Sequence, residues 1–191
     1  MNLREMFATM TPEEIRKASF EREIEEWKSV NRFCGKCGTA MRPHENPSER
    51  AFVCPACGYL AYPKISPAVI ALITRGDEVL LQRNSHYKSA NWSLVAGFVD
   101  PGESFEEAVM REAREESAIE VGDLRYVMSQ TWPFPSNIMV GFRAEWKAGE
   151  LRPDGDEVLA SAWFRRGALP EIPRKGSIAR MMLDAWSEGQ I

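Results

Sequence analysis

The chain has 191 residues, of which 44% are hydrophobic and 27% charged, and its formal net charge at pH 7 is −4. A chain of this length can bury one core of about 150 residues and still carry a small appendage. It has no stretch of ~20 apolar residues, so we expect no membrane span, and a pI near 5.4 argues against a general affinity for nucleic acids.

Residues 1–31 are predicted to form an N-terminal helical segment. Thr11, Pro12 and Glu14 give a helix start, because threonine is a good N-cap and proline is tolerated in the first turn. Apolar side chains then recur at helical spacing, at Phe20, Ile24 and Trp27. This helix leads directly into a segment that contains every cysteine of the chain.

The four cysteines follow the pattern CxxC, sixteen residues, CxxC, with Cys34, Cys37, Cys54 and Cys57 as its members. Two such pairs in glycine-bearing turns are typical of a structural Zn²⁺ site with four thiolate ligands. The alternative is a pair of disulfides in a secreted protein. We expect no signal peptide, because charges occur within the first ten residues, so zinc and a cytoplasmic location are favoured. A zinc ribbon is therefore predicted over residues 32–64.

The ribbon region is basic in an acidic chain. Residues 28–66 contain six lysines and arginines and two glutamates. Such a module could contact RNA phosphates. Because it lacks a dense basic stripe with interleaved aromatics, a structural role or a dimer contact is the favoured interpretation.

The remaining residues, 65–191, are predicted to form one catalytic domain. Residues 68–74 and 78–83 read as a β-hairpin around the turn 75–77, and residues 92–98 as a third strand. The intervening loop contains His86 and Tyr87. It is either a plain exposed loop or, with Arg83 and Lys88, a basic rim for phosphate.

A helix is predicted to begin at Ser104, which forms a capping box with Glu107. Its C-terminal half carries three glutamates at i, i+3 and i+4, Glu112, Glu115 and Glu116. These lie on an arc of roughly 100°, shared with the apolar Phe105, Ala108, Val109 and Ala113. Carboxylates on a core-facing arc repel one another, so we expect a hard cation such as Mg²⁺ or Mn²⁺ there. The alternative is a solvated acidic face.

Three further strands, at residues 125–130, 138–146 and 160–165, and a helix at about 177–186 complete the chain. Strands that alternate with two helices predict the α/β class. The arrangement we expect is an α/β/α sandwich with a mixed sheet, preceded by the zinc ribbon.

The segment from Gly97 to Ile119 resembles the Nudix box, G, five residues, E, seven residues, RE, aliphatic, any residue, EE, any residue, G, aliphatic. Its fixed positions are filled by Gly97, Glu103, Arg111, Glu112, Glu115, Glu116 and Ile119, whereas Ala118 stands where the family has glycine. The resemblance implies hydrolysis of a nucleoside diphosphate linked to another group, with the glutamates binding metal. We expect Arg111 to pair with a box glutamate.

A second motif, SQTWPFPSN at residues 129–137, resembles the SQPWPFPxS signature of NADH pyrophosphatases, which also carry a four-cysteine ribbon before the Nudix domain. The resemblance implies cleavage of NADH or NAD⁺ to nicotinamide mononucleotide and AMP. In some members it also implies removal of NAD caps from RNA, and it implies a homodimer. Only about 33 residues precede Cys34, so we expect that the extra N-terminal domain of this sub-family is lacking.

The same resemblance assigns roles to individual residues. Glu112, Glu115 and Glu116 match the metal-binding catalytic glutamates, and Glu157 matches a further acidic residue near the metals. The matching substrate-binding residues are Phe98, which would stack on the nicotinamide ring, Gln130, Asn137 and Tyr62, the last supplied across the dimer. Thr131 and Asn137 depart from the signature. Two alternatives therefore stay open, a broader Nudix hydrolase of ADP-ribose or dinucleoside polyphosphates and a non-catalytic nucleotide- or RNA-binding regulator.

Overall fold

The computed structural model describes residues 3–85 and 91–191. Within them the helices are α1 (Leu3–Met6), α2 (Pro12–Val30), α3 (Phe105–Ser117) and α4 (Ile178–Ser187). The strands are β1 (Arg42–Pro43), β2 (Phe52–Val53), β3 (Leu60–Ala61), β4 (Ser66–Arg75), β5 (Glu78–Asn84), β6 (Val95–Phe98), β7 (Glu120–Trp132), β8 (Asn137–Ala148) and β9 (Val158–Arg165). They form two compact units. No helix in the described ranges is both long and apolar enough to cross a membrane.

The larger unit comprises residues 67–130 and 138–191 with the N-terminal residues through Met10. Its sheet has the strand order β7-β8-β4-β5-β9, and β6 pairs with β4. The predicted hairpin is confirmed, since Thr74 pairs with Val79 and Arg75 with Glu78 on either side of the turn.

Strand β4 separates two apolar cores because its side chains alternate between the faces of the sheet. Val69, Ala71 and Ile73 join a core that includes Val109 of α3. Ile70 and Leu72 join a second core with Met182 and Leu183 of α4. Helices therefore cover both faces of the sheet, which confirms the predicted α/β/α sandwich with a mixed sheet.

Helix α3 begins as its sequence predicts. The Glu107 N–H donates to the Ser104 hydroxyl at 3.2 Å, and the Ser104 N–H donates to the Glu107 carboxylate at 2.7 Å. The helix ends at Ala118 in the left-handed conformation, with φ of 56°. This is the position at which the box pattern has glycine.

The last predicted elements are present with longer bounds. Strands β7 and β8 extend beyond the apolar runs at 125–130 and 138–146 that predicted them. Polar residues such as Glu120 and Asp123 form part of β7, which is the edge strand and exposes them to solvent. Helix α4 begins where predicted, because the Ser177 hydroxyl accepts a bond from the Arg180 N–H.

The smaller unit comprises residues 11–66 and 131–137. Its helix α2 has the predicted start, with a capping box between Thr11 and Glu14. Trp27 of α2 stacks on Phe52 of the three-stranded sheet β1-β2-β3, with ring centroids 4.6 Å apart. The predicted division of the chain at residues 32 and 65 stays a prediction.

Candidate functional site

The carboxylate of Glu112 on α3 lies against the backbone of Gly97 on β6. A Cβ atom added at Gly97 would overlap that carboxylate. Glu112 is consequently only 9% exposed. A side chain at residue 97 would have to displace this buried carboxylate.

Arg111 connects several residues of the site through hydrogen bonds. Its Nε and Nη2 donate to the two Glu103 oxygens at 2.6 and 2.9 Å. Its Nη1 donates to Glu112 at 2.8 Å and to Glu115 at 3.1 Å. Nη2 also donates to the Phe98 carbonyl at 2.8 Å. The expectation that Arg111 pairs with a box glutamate is confirmed, and its hydrogen bonds lower the pKa of Glu103.

Glu116 is the most deeply buried of the three helix glutamates, at 4% exposure. Burial, reinforced by the nearby negative charges of Glu112 and Glu157, raises the pKa of Glu116 to about 8. Its Oε2 has no hydrogen-bond partner among the described residues. A buried, unpartnered carboxylate oxygen beside other carboxylates suits a hard divalent cation, which takes oxygen ligands.

The three glutamates differ in burial more than the helical arc predicted. Ala108, Val109 and Ala113 are fully buried on the same side as Glu112 and Glu116. Glu115 lies at the rim, with its side chain 60% exposed, and reaches Arg111. In this structure Arg111 supplies the positive charge between Glu112 and Glu115, while burial raises the pKa of Glu112 as it does that of Glu116.

Sequence reasoning missed two residues near Glu116. Asp154 adds a negative charge that raises the pKa of Glu116, while Gln82 of β5 partly opposes the rise through a hydrogen bond. Gln82 is 4% exposed and its Nε2 donates to the hydroxyl of buried Ser117 at 2.7 Å. The sequence did contain a signal for Gln82, because it is a polar residue inside the mainly apolar strand sequence EVLLQR.

The structure also places the predicted acidic and substrate-binding residues of the larger unit. Glu157 is exposed, just before β9, and its charge acts on both Glu112 and Glu116. Phe98 is 57% exposed at the end of β6. The Gln130 amide is fully engaged, donating to the Gly176 carbonyl and accepting from the Ile178 N–H, each at 2.7 Å. It ties β7 to the start of α4.

Two predicted substrate-binding residues belong to the smaller unit. Asn137 is 8% exposed and its Nδ2 donates to the Phe134 carbonyl at 3.2 Å. Tyr62 is 49% exposed. Their roles stay predictions, and His86, Tyr87 and Lys88 lie outside the described residues.

The cysteines form the second site, inside the smaller unit. Each pair sits in the same turn: the Cys34 N–H donates to the Thr39 carbonyl and the Cys54 N–H to the Tyr59 carbonyl. Gly38 and Gly58 follow in the left-handed conformation, with φ of 74° and 71°.

Two repeated turns bring four sulfurs to one point. All four Sγ atoms lie within 4.8 Å of one another, and three of the Sγ pairs are 3.5 to 3.7 Å apart. Tetrahedral Zn²⁺ with bonds of ≈ 2.3 Å requires sulfurs about 3.8 Å apart. The cysteines are free of disulfides, so the arrangement fits a structural zinc ion and excludes the two-disulfide alternative.

Two family models match parts of this chain. Residues 64–185 match the family model described as the NUDIX domain. The chain belongs to the Nudix family. Residues 29–62 match the model described as the NADH pyrophosphatase zinc ribbon domain, and this Nudix chain therefore carries both modules that its sequence predicted.

Curated relatives share the name "NAD-capped RNA hydrolase NudC". The protein of that name from Pseudomonas aeruginosa (strain LESB58) is 48% identical over 160 residues, which cover 84% of this chain and 57% of the relative. The one from Stutzerimonas stutzeri (strain A1501) is 42% identical over 184 residues, covering 96% of this chain and 66% of the relative. The Nudix chain thus spans 57 to 66% of the length of these relatives.

A solved structure supports the fold. The crystal structure of a NUDIX hydrolase from Nitrosomonas europaea aligns with a TM-score of 0.71 at 24% identity, over 83% of this chain and 92% of that one. At this identity the likeness shows the fold alone.

Proposed function

We propose that this Nudix chain hydrolyses the pyrophosphate bond of NADH or NAD⁺, producing nicotinamide mononucleotide and AMP, and that it also removes NAD caps from RNA. The observation that carries the proposal is the Glu116 carboxylate, which is 4% exposed, has an unpartnered oxygen among the described residues and lies beside other acidic groups. The name of the curated relatives and the match to the NADH pyrophosphatase ribbon favour a nicotinamide dinucleotide as substrate.

Glu112, Glu115 and Glu116 are the proposed ligands of catalytic Mg²⁺ or Mn²⁺, with Glu157 beside them. When bound, such a cation neutralises the anionic pyrophosphate and acidifies a coordinated water. The chain itself supplies the geometry. Arg111 donates hydrogen bonds to both Glu103 oxygens and to the Phe98 carbonyl. These bonds fix the loop that precedes α3. Gln82 donates a hydrogen bond to Ser117, the residue that follows Glu116.

Phe98, Gln130, Asn137 and Tyr62 are the proposed substrate-binding residues. The exposed ring of Phe98 offers a surface for stacking on a planar base. Gln130 connects β7 to the start of α4, Asn137 donates to the Phe134 carbonyl, and Tyr62 is proposed to contribute from the partner of a homodimer. In the cell the proposed enzyme is cytoplasmic, with Zn²⁺ in the ribbon as a structural ion.

The decisive experiment compares NADH, NAD⁺, ADP-ribose and diadenosine tetraphosphate as substrates, with Mg²⁺ or Mn²⁺, and resolves the products by chromatography. We expect NADH to be cleaved best, to nicotinamide mononucleotide and AMP. Glu116→Gln should abolish turnover. Glu106→Gln is the matched control, because Glu106 lies on the exposed side of the same helix.

A second candidate, hydrolysis of ADP-ribose or of dinucleoside polyphosphates, is favoured by one observation. Thr131 occupies a position where the NADH pyrophosphatase signature has proline, and its hydroxyl donates to Glu23 at 3.4 Å. A preference for ADP-ribose or for the dinucleoside polyphosphate would support this candidate. Metal-dependent cleavage of none of the four compounds would instead favour a nucleotide- or RNA-binding regulator.

A further inference from the structure

A groove of about 680 Å³ lies in the larger unit, away from the carboxylates. Its lining includes Arg125 of β7, Arg143 of β8 and Arg166, which follows β9, together with Tyr126 and Gln190. We propose that this arginine groove binds phosphates of a single-stranded RNA whose NAD-capped end occupies the carboxylate site. The inference rests on the proposed function and adds a binding site for the body of the substrate.

The groove and the carboxylates lie on opposite faces of the sheet. Phe142 and Ala144 of β8 are buried in the core beneath α3, so Arg143 between them projects to the α4 face. Val127 of β7 packs against the α4 core, and Arg125, two residues earlier, shares its face.

The two sites also lie at opposite ends of β4. Gly97, which contacts Glu112, pairs with Val69. The Thr74 hydroxyl donates to the carbonyl of Ala144, the neighbour of Arg143. Five residues of strand separate Val69 from Thr74, a distance of roughly 17 Å. This offset adds to the separation between the two faces of the sheet, so a ligand that reaches both sites has to extend around the sheet edge, as a polymer can.

The positive charges of the groove are only partly balanced by the protein. Arg166 pairs with Asp77 at 3.0 Å and lies over the Trp186 ring. Among the described residues, the guanidinium groups of Arg125 and Arg143 form no ion pair or hydrogen bond, although Arg143 is half-buried. The hydrogen bond from Lys147 has the largest effect in lowering the pKa of Asp123, and the charge of Arg125 also helps to lower it. Arg143 has no such partner among the described residues, and a guanidinium matches phosphate in a bidentate geometry.

The acidic residues around the groove are already engaged. Asp123 pairs with Lys147, and the Glu188 carboxylate accepts a bond from Gln190 at 2.8 Å. Among the described contacts, neither of these two carboxylates forms an ion pair with Arg143. The three arginines of the lining favour an anionic ligand over a cation.

Tyr126 favours a nucleic acid over a simple phosphate. Its ring is 60% exposed and packs edge-on against Phe142, with centroids 6.3 Å apart, on the α3 side of the edge strand β7. A single strand that passes around this edge meets Tyr126 before it reaches Arg125. Stacking of bases on an exposed aromatic ring is the usual complement to a basic groove in proteins that bind single strands.

The test measures two substrates with each variant of the full chain, free NADH and an NAD-capped RNA oligonucleotide. Arg125→Glu should lower kcat/KM for the capped RNA by about tenfold and reduce the dependence of log affinity on log salt by about 0.7 per lost contact, while NADH turnover stays unchanged. Arg143→Gln, which removes the charge and keeps a polar side chain, should act in the same direction. Arg16→Glu, an exposed charge reversal on α2, is the matched control.

Each outcome decides the inference. Equal losses for NADH and capped RNA, or no loss for either, would overturn it. Inorganic polyphosphate that competes as well as uncapped RNA of equal charge would also overturn it, because the groove would then be a general anion site. Fluorescence anisotropy with uncapped RNA tests the groove directly, so absence of turnover in the unaltered chain, which refutes the proposed function, is distinguishable from failure of the groove.

Discussion

Burial dominates the electrostatics of Glu116. Removing a carboxylate from water and placing it beside Glu112 and Glu157 disfavours its charged form. Arg111 offsets the cost for Glu112, to which it donates at 2.8 Å. Its donors reach Glu103, Glu112 and Glu115 but form no bond with Glu116 among the described contacts. Glu116 is consequently the carboxylate of this site whose charged form the folded protein most disfavours.

The shifted pKa of Glu116 predicts how stability depends on pH without added Mg²⁺ or Mn²⁺. The pKa is raised from 4.5 to about 8 on folding, so between these values the folded state binds more protons than the unfolded state. The free energy of unfolding should therefore fall as pH rises from about 5 to 8, by an amount on the order of 4 kcal/mol. Urea denaturation at several pH values measures this.

Two comparisons make the pH prediction specific. Glu116→Gln should flatten the profile and be the more stable protein at pH 8, whereas Glu106→Gln should follow the unaltered chain. Added Mg²⁺ should restore stability at pH 8 to the unaltered chain and not to Glu116→Gln, because a ligand that binds only the folded state stabilises it. Parallel profiles for all three proteins would refute the assignment.

Gly97→Ala is predicted to damage the site directly. The added methyl group would overlap the Glu112 carboxylate and displace it, at a cost of about 1–3 kcal/mol in folding free energy and most of the turnover. Gly122→Ala is the control, because its Cβ would meet only the flexible end of Lys147 at 3.0 Å. Thermal denaturation and NADH hydrolysis measure both effects, and equal behaviour of the two variants would contradict the close packing at Gly97.

At the scale of elements, local signals predicted α3 better than they predicted its surroundings. The capping box of Ser104 and Glu107 involves residues three apart, and the buried arc of Ala108, Val109 and Ala113 follows from helical periodicity. Both could be derived from the sequence. Gln82 reaches Ser117 from 35 residues away, and only the folded sheet brings them together.

The exposure of Glu115 shows a second limit of sequence reasoning. Helical geometry places Glu115 next to Glu116, yet one is 60% exposed and the other 4% exposed. The boundary of the core depends on which strand lies beneath the helix. A helical wheel gives the direction of a side chain and does not give the depth at which it is buried.

The C-terminus of α3 offers a stabilising substitution. Ala118 has φ of 56°, a conformation that favours glycine, and its side chain is not fully buried. Ala118→Gly should raise the free energy of unfolding by about 0.5–1 kcal/mol, because the strain on Cβ outweighs the added freedom of the unfolded chain. Ala113→Gly, in the buried middle of the helix, should lower it. Denaturant titration distinguishes the two, and destabilisation by Ala118→Gly would show that the cap is unstrained.

At the scale of the whole molecule, the two compact units do not follow the order of the sequence. Residues 131–137, which carry the WPFP motif where β7 turns into β8, belong with residues 11–66. Arg22 donates to the Pro133 carbonyl at 2.7 Å, and Ser136 donates to the Lys64 carbonyl at 2.9 Å. A motif that the resemblance assigns to substrate binding is thus held by contacts with the zinc-containing unit.

Loss of zinc should therefore lower the local stability of residues 131–137 as well as that of the ribbon. A structural zinc site contributes its binding energy to folding, and Cys54, at 1% exposure, is central to it. In Cys54→Ser, hydrogen exchange should become faster in residues 32–62 and 131–137, while β4 and β5 keep their protection because their core contains no zinc ligand. Ser48→Ala, in the same loop-rich segment, should exchange like the unaltered chain. Continued protection of residues 131–137 after zinc loss, or loss of protection in β4, would contradict this prediction.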